Sequence, residues 1–222
     1  MLKVDRLEVM GMANALWFMR MPFESFDRSD TKIVPGRGIA IGPNDEKLAK
    51  QLIKAGPEHC KFLRDIHVQM AVTATRYFWA ECDTYHFITQ ISSSTMHLIT
   101  KRHLTIDDFE HEGEIDEELD FTESTISYLN MLIDLYNDKQ VCDTEDKKRA
   151  MLVRIKRHLP EGFLQMRGLD FNYKTLYDML VQRGNHRLPV WRTICKMFGD
   201  NLPYVKDWFS DAPGVPSGLF ER

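Results

Sequence analysis

The stretch DIHVQMAVTATRYFWAEC, residues 65–82, changes its hydrophobic period halfway along. The first part alternates two sets of residues, Ile66, Val68, Met70, Val72 and Ala74 against Asp65, His67, Gln69, Ala71 and Thr73. Period two is typical of a β-strand with one buried face. The second part has helical spacing. The stretch therefore predicts a junction from strand to helix, a place where proteins commonly bind ligands.

The residues after this junction are unusual for a core or a linker. From residue 76 to residue 97 the chain reads RYFWAECDTYHFITQISSSTMH, which combines aromatic residues, two acids, two histidines and a Ser-Ser-Ser-Thr run. Hydroxyl groups and backbone N–H groups together can cradle a phosphate. We interpret this stretch as a binding loop.

Helical periodicity recurs along the chain and predicts further helices. Thr144 and Asn172 are predicted N-caps, while Gly56 and Gly184 are predicted helix ends. The predicted helices occupy residues 46–55, 122–138, 145–158, 173–183 and 189–199, and a further strand is predicted within residues 162–171. Helices that pack on a sheet indicate an α/β or α+β fold.

Two segments lack such periodicity. Residues 107–123 include an acidic run and predict an excursion with a solvated face or a lid over a pocket. Residues 210–222 read SDAPGVPSGLFER and predict a loosely held arm, or a strand lent to a neighbouring subunit.

Composition excludes several classes of protein. The chain has 222 residues, 43% of them hydrophobic, which is enough for one domain spanning residues 1–222. Its formal net charge is -4, from 29 basic and 33 acidic residues, so no binding to polymeric nucleic acid is expected. No apolar run approaches the roughly 18 residues that a membrane span requires, and no secretory signal is recognisable. We expect a cytoplasmic protein.

Neither the cysteines nor the acids and histidines have the spacing of a known metal site. Cys60, Cys82, Cys142 and Cys195 stand singly, which indicates small buried residues or free thiols. A second set could supply metal ligands but matches no familiar motif: Glu81, Asp83, His86, His97 and His103. We expect no metal.

A phosphate site is the sharper hypothesis. The hydroxyls of residues 92–95 could bind a phosphate if the fold placed cations next to them, because charged donors bind phosphate most strongly. The candidate cations all lie in the last third of the chain: Lys156, Arg157, Lys174, Arg183 and Arg187. For the basic last turn of residues 154–158, complementing the helix dipole is the alternative explanation.

Taken together, these motifs resemble the flavin-dependent thymidylate synthases. The similar features are the strand DIHVQMAVTA, the helix TRYFWAEC, the serine loop, LPEG, a strand, and NYKTLYDMLVQRGNHRLPVWRTI. The opening LEVMGMANALWFMRMPFESF also resembles the first strand and helix of that family. The resemblance implies a thymidylate-synthase-complementing-protein-like fold, FAD as cofactor, a folate one-carbon donor and a homotetramer with its sites between subunits.

The resemblance also assigns nucleotide contacts. Arg183 matches the arginine that grips the pyrimidine of dUMP and helps to activate it, which makes it the implied catalytic residue. Ser93 or Ser94 stands near the phosphate-binding serine of the family. Lys156 or Arg157 lies near the family's phosphate-binding arginine.

The implied cofactor contacts lie in two parts of the chain. Asn172 matches an asparagine that touches flavin, and Lys174 falls where an arginine usually contacts it. His186 or Arg187 lies near a flavin-contacting histidine, with the register open by one residue. Glu81 and Tyr85 belong to the loop that holds the cofactor in the family.

This chain departs from the family at that loop. Where the family has R-H-R, residues 80–82 are Ala, Glu and Cys, and where it has S-x-R-Y, residues 93–97 are Ser, Ser, Thr, Met and His. An acid beside a flavin pyrophosphate would be repelled unless it pairs with an arginine or a donor on the ligand. Two hypotheses follow: a divergent enzyme that transfers a methyl or hydroxymethyl group to C5 of dUMP or a related nucleotide, or a nucleotide-binding or structural protein that kept the fold and lost flavin.

Overall fold

The structure, a computed structural model, describes residues 2–35, 38–111, 113 and 115–221. It is an α+β fold with an antiparallel sheet, as the sequence predicted. The chain divides into two compact units, Met1–Lys3, Val72–Thr84 and Ile91–Arg167 in the first, and Val4–Ala71, Tyr85–Gln90 and Gly168–Arg222 in the second.

In the part of the chain that the structure describes, six strands form two sheets. The strands are β1 (Lys3–Met10), β2 (Lys32–Val34), β3 (Gly38–Ala40), β4 (His67–Thr75), β5 (Thr89–Ser92) and β6 (Leu164–Asn172). The larger sheet has the strand order β1-β4-β6-β5. The smaller sheet pairs β2 with β3 in antiparallel register, Lys32 opposite Ala40 and Ile33 opposite Ile39.

The described residues also form nine α-helices. They are α1 (Met12–Phe18), α2 (Pro43–Ala55), α3 (Arg76–Cys82), α4 (Thr95–Leu98), α5 (Asp116–Asn137), α6 (Glu145–His158), α7 (Tyr173–Arg183), α8 (Pro189–Asn201) and α9 (Val205–Phe209). Single 3-10 turns lie at Met21–Phe23, Phe26–Arg28, Lys61–Asp65 and Ile106–Asp108. Within the described residues, no helix combines the length and the apolar character needed to cross a lipid bilayer.

The predicted junction from strand to helix is confirmed. The predicted inner face of the strand is entirely buried, comprising Ile66, Val68, Met70, Val72 and Ala74. Thr75 ends β4 and caps α3, because its hydroxyl accepts a hydrogen bond from the N–H of Phe78 at 3.4 Å. Phe78, Trp79 and Cys82 then point into the core.

In the first unit, α5 and α6 pack through the residues predicted to face inward. Ile126, Leu129, Ile133 and Ile155 belong to one buried cluster with Phe163. The predicted N-cap Thr144 is confirmed, since its hydroxyl accepts from the N–H of Lys147 at 3.3 Å. Leu164, the first residue of β6, follows this cluster in the sequence and lines the cavity described below.

In the second unit, α7 and α8 form the core with α9. Asn172 is the N-cap of α7, with its Oδ1 accepting from the Thr175 N–H at 3.0 Å. The apolar positions predicted in these two helices are buried, namely Leu176, Met179, Leu180, Trp191, Ile194, Cys195 and Phe198. Arg183, the last residue of α7, is thereby positioned next to the start of α8.

A buried ion pair holds the second unit together near its start. Arg20 follows α1, and its Nε donates to Oδ1 of Asp45 in α2 at 2.6 Å. Asp45 also accepts from the Ser29 hydroxyl at 3.0 Å and from the Thr31 N–H at 2.9 Å. Burial alone would raise the pKa of Asp45, but the hydrogen bonds from Thr31, Arg20 and Ser29 outweigh it and lower the pKa below its ordinary value.

Two predictions for irregular segments need correction. The C-terminal segment is not a loosely held arm, because Ala212, Val215 and Leu219 are buried and the Pro213 carbonyl accepts from the Tyr177 hydroxyl at 2.6 Å. The Gly and Pro content had suggested a free tail, but the burial of these three apolar side chains stabilises the segment against the rest of the protein. Within the acidic stretch 107–123, residues 116–123 form the first turns of α5, and residues 112 and 114 lie outside the described residues.

Candidate functional site

The loop that starts with α3 has a core-facing side and a solvent-facing side. Trp79 is core, since its Nε1 donates to the carbonyls of Ala74 at 3.1 Å and Gln165 at 2.9 Å. Tyr77 donates its hydroxyl proton to Glu110 at 2.6 Å, and burial together with that carboxylate raises the pKa of Tyr77 to about 12. The hydrogen bonds of Tyr77 and Trp79 therefore hold α3 in place.

The positions that replace R-H-R carry no cation. Ala80 is exposed, Glu81 is half-buried and Cys82 is buried. The carbonyl of Glu81 accepts a hydrogen bond from the Thr84 hydroxyl at 2.7 Å, which closes the end of the helix. The surface at this turn therefore presents a carboxylate where the family that the sequence resembles presents positive charge.

Of the two partners that the sequence left open for a loop acid, an arginine or a donor on a ligand, Asp83 has an arginine. Its carboxylate accepts from Nη1 of Arg167 at 2.7 Å, and the Arg167 guanidinium lies 4.6 Å from the centroid of the Trp79 ring. Sequence reasoning missed Arg167, because it lies 84 residues from Asp83 and no motif marks it. The ion pair and the ring together hold the loop against β6.

The serine loop lines a cavity in the first unit. The N–H of Ser93 donates to the Met166 carbonyl at 2.9 Å, and the Gln165 side chain donates to the Ser93 carbonyl at 2.8 Å. The cavity has a volume of about 410 Å³. Ser93, Ser94, Thr95, Lys101, Arg102 and Asp108 contribute its polar lining, and Leu98, Ile99, Leu104, Phe163 and Leu164 contribute its apolar walls.

Two predicted phosphate ligands do not line this cavity. Lys156 and Arg157 are exposed in the last turn of α6. Within the described part of the chain neither side chain has an ion-pair partner. Their position fits the alternative explanation, in which they complement the dipole of α6.

Arg183 lies in a cluster of three aromatic or heteroaromatic residues in the second unit. Its Nε donates to the Tyr85 hydroxyl at 3.2 Å, and its Nη1 donates to Nε2 of His186 at 2.9 Å. The guanidinium also lies 4.8 Å from the centroid of the buried Trp191 ring. Gln182 accepts from the Tyr85 hydroxyl at 3.1 Å. The guanidinium is therefore held in one orientation by a stack and two hydrogen bonds.

The structure distinguishes His186 from Arg187. His186 touches Arg183 through its Nε2, which lies 2.9 Å from the Arg183 Nη1. Arg187 is exposed, and only its carbonyl takes part in a described contact, accepting from Arg192 at 3.2 Å. Of the two residues, His186 is thus the one placed beside Arg183.

The other predicted cofactor contacts lie at the start of α7. Asn172 lines a smaller cavity of about 320 Å³ together with His67, His86 and Asp170. Lys174 forms an ion pair with Asp178 one turn along the helix. Because its charge is locally compensated, Lys174 is a weaker anion partner than its position in the sequence suggests.

A hydrogen-bonded carboxylate in that smaller cavity escaped the sequence analysis. Nδ1 of His67 donates to Asp170 at 3.2 Å, and Gln69 donates to the other carboxylate oxygen at 2.9 Å. These hydrogen bonds, that of Gln69 first, lower the pKa of Asp170 against a smaller effect of burial. The alternation in β4 had marked His67 and Gln69 as outward-facing, but their partner is 100 or more residues away.

The cysteines are buried, and the acid–histidine set is not gathered into a metal site in the described part of the chain. All four cysteines are buried free thiols. Burial raises the pKa of Cys195 to about 12, with nearby Arg183 opposing it, and burial also raises the pKa of Cys60. Among the residues described, no group of three or more His, Cys, Asp or Glu side chains is arranged to hold a metal ion.

The predicted site residues thus fall in both units. Ser93, Ser94, Lys156, Arg157 and Glu81 lie in the first unit, and Tyr85, Asn172, Lys174, Arg183, His186 and Arg187 lie in the second. Within the second unit Tyr85, Arg183 and His186 are in direct contact.

Comparison with known proteins finds similarity only at the level of three-dimensional structure. No family model matches the sequence. No curated protein sequence matches it either. Solved structures do match.

Two of these are flavin-dependent thymidylate synthase ThyX from Helicobacter pylori, each determined with FAD and dUMP. The first is 16% identical, has a TM-score of 0.70, and matches 95% of this chain and 99% of its own. The second is also 16% identical, has a TM-score of 0.71, and matches 100% of both chains. The resemblance inferred from the sequence motifs is confirmed for the fold, and this chain has the fold of flavin-dependent thymidylate synthase.

Proposed function

We propose that the protein is a divergent enzyme of pyrimidine-nucleotide metabolism, which transfers a methyl or hydroxymethyl group to C5 of dUMP or a related nucleotide. The observation that carries this proposal is the arrangement around Arg183. At the position where the family grips the pyrimidine, this chain holds a half-buried guanidinium between Tyr85, His186 and Trp191.

The geometry suits stabilisation of developing negative charge. A guanidinium fixed by a stack and by hydrogen bonds needs little reorganisation when charge develops on a pyrimidine carbonyl. Its N–H groups form a planar fork that matches carbonyl and carboxylate acceptors. No side-chain nucleophile is needed for this role, and the buried cysteines offer none.

FAD is the implied cofactor, with a folate as the implied one-carbon donor. FAD would supply hydride transfer. In the second unit, Asn172, Tyr85, His186 and Arg187 are the residues proposed to contact it. In the first unit, Glu81 and the buried Cys82 offer no positive charge to a pyrophosphate. We therefore propose weakly bound, exchangeable FAD.

The competing function is nucleotide binding without flavin, and the residues at positions 80–82 support it. A protein with Ala80, Glu81 and Cys82 in place of three flavin-contacting residues is also suited to bind a nucleotide without flavin. In that case Arg183 would bind a pyrimidine nucleotide without catalysing a reaction.

Two measurements separate these functions. The absorbance spectrum of the purified protein, before and after incubation with FAD and gel filtration, shows whether flavin is retained. Titration calorimetry with dUMP, in the presence and absence of FAD, shows whether the nucleotide binds and whether flavin changes its affinity. Binding of dUMP without any flavin binding would favour the competing function, and binding of neither would refute both.

We also propose a cytoplasmic homotetramer, because the family resemblance implies sites between subunits. Several large apolar side chains are exposed in this chain, among them Phe23, Phe87, Ile91 and Phe121. Such residues are commonly covered in an assembly. Light scattering at micromolar concentration tests this, and a monomer would refute it.

A further inference from the structure

We infer that Lys101 supplies the positive charge for a phosphomonoester group bound in the cavity of about 410 Å³ that the serine loop lines, called the serine cavity below. The phosphate oxygens would accept hydrogen bonds from the hydroxyls of Ser93, Ser94 and Thr95. The inference rests on the proposed nucleotide-binding function and names a residue that the sequence motifs did not indicate. It also accounts for how a chain without the family's R-H-R and S-x-R-Y cations could still hold a phosphate.

The cavity offers hydrogen-bond donors that none of the described protein groups uses. Ser93, Ser94 and Thr95 all line it. Across the described residues, none of their three hydroxyls has a hydrogen-bond partner, and Ser94 makes no side-chain cap for the helix that follows. Three neighbouring hydroxyls on one cavity wall suit an acceptor with several oxygens, such as a phosphate.

The backbone of this wall is fixed before any ligand arrives. Ser93 uses its own N–H and carbonyl in hydrogen bonds to Met166 and Gln165 on β6. The hydroxyls therefore project from a segment tied to the sheet. A fixed set of donors binds with a smaller loss of conformational entropy than a flexible one.

Charge within the cavity lining identifies Lys101 as the cation. Arg102 donates to both carboxylate oxygens of Asp108, with Nη1 at 2.7 Å from Oδ2, so these two charges compensate each other. Hydrogen bonds from Arg102 and Thr105 outweigh the effect of burial and lower the pKa of Asp108, which keeps this carboxylate charged. Lys101 is the remaining charged residue of the lining, and it has no ion-pair partner among the described residues.

The rest of the lining favours an ester over a free phosphate ion. Leu98, Ile99, Leu104, Phe163 and Leu164 form apolar walls next to the hydroxyls. An inorganic ion leaves these walls unused, whereas the carbon skeleton of a phosphomonoester covers them. A nucleotide or sugar phosphate is therefore expected to bind more tightly than inorganic phosphate.

Calorimetry on the full-length protein tests the inference with four probes: dUMP, deoxyuridine, ribose 5-phosphate and inorganic phosphate. For wild type we expect dUMP to bind more tightly than inorganic phosphate. Lys101→Gln should weaken binding of dUMP about tenfold or more, since a charge-assisted hydrogen bond is lost, and leave that of deoxyuridine unchanged. Lys101→Arg should retain most of the dUMP affinity. Lys139→Gln removes another exposed lysine of the same unit, outside this cavity, and should change nothing.

The outcomes separate this inference from the proposed function. If wild type binds dUMP and Lys101→Gln binds it equally well, the role of Lys101 is refuted while the proposed function stands. If wild type ignores dUMP but binds ribose 5-phosphate in a manner that depends on Lys101, the phosphate site stands and the pyrimidine function fails. If wild type binds none of the phosphorylated probes, both fail. An equal loss with Lys139→Gln would show a general charge effect and refute the specific assignment.

Discussion

The guanidinium of Arg183 lies over the indole ring of Trp191, 4.8 Å from the ring centroid. Arg183 ends α7 and Trp191 lies in the first turn of α8, so the short connection between the two helices sets this stack. A stacked arginine contributes to both stability and binding, and the two effects can be measured separately.

Replacing Arg183 should abolish binding of pyrimidine nucleotide. The helix-end position suggests an exposed arginine with little effect on stability, but the structure shows a half-buried side chain on an aromatic ring. We therefore expect Arg183→Ala to lower the free energy of unfolding by about 1–2 kcal/mol, the range of a partly desolvated cation–π contact with its packing. Calorimetry with dUMP and urea unfolding measure the two effects.

Arg149→Ala is the matched control, since Arg149 is an exposed helical arginine whose only described ion pair is with Asp146 at 3.5 Å. It should alter neither dUMP affinity nor stability by a measurable amount. Unchanged dUMP affinity in Arg183→Ala would remove Arg183 from the site.

Replacing Glu81 with a cation should tighten FAD binding. Glu81 is half-buried where the family that the sequence resembles has R-H-R, and a carboxylate there repels a pyrophosphate. Glu81→Arg and Glu81→His should each gain about 1–2 kcal/mol of FAD binding free energy. Quenching of flavin fluorescence at constant salt measures this, because salt screens exposed charges.

The control is Glu145→Arg, which makes the same change of charge at an exposed helix start outside this loop. A similar gain in that variant would indicate a general charge effect. Absence of FAD binding in wild type and in both Glu81 variants would exclude a flavin role and leave the competing nucleotide-binding function.

The Asp45 carboxylate should make stability depend on pH in the acidic range. Its pKa in the folded protein lies below the ordinary 3.8. The stabilisation from its charged form is therefore complete above about pH 4 and is lost as the pH falls through the folded-state pKa. Asp45→Asn leaves the buried Arg20 without its charge partner, and should cost about 3 kcal/mol at pH 7.

Urea unfolding of wild type and Asp45→Asn at pH 7, 5, 4 and 3 should show a difference that is constant down to about pH 4 and shrinks below it. Asp146→Asn, at a carboxylate 92% exposed, is the control and should have little effect at any of these pH values. A difference that grows on acidification would contradict the assignment.

The cysteines should be unreactive in the folded protein. All four are buried, and the raised pKa of Cys195, about 12, leaves little thiolate at pH 8. With an aromatic disulfide reagent at pH 8, no fast-reacting thiol is expected in native protein and four are expected after denaturation. A fast stoichiometric reaction in the native protein would show that a cysteine is accessible.

Local sequence patterns were sufficient for the longer helices, for the strands β4 and β6 and for the fold class, but they did not mark the short elements β2, β3, β5, α4 and α9. The alternation in residues 66–74 and the helical stripes of α5 to α8 were readable because the spacing of apolar residues follows the buried side of each strand or helix. The caps Thr144 and Asn172 were predictable because a cap bonds only to residues three positions ahead.

The tertiary structure alone decided which polar groups meet. Asp83 pairs with Arg167, 84 residues away, and Tyr85 meets Arg183, 98 residues away, and neither separation leaves a periodic trace in the sequence. The same holds for Lys101 in the serine cavity, where the sequence had suggested Lys156 and Arg157. Long-range ion pairs depend on the register of distant strands and helices, which the local sequence does not record. The C-terminal tail is rich in Gly and Pro, but three of its apolar side chains are buried, and their packing partners come from parts of the chain that only the fold brings close.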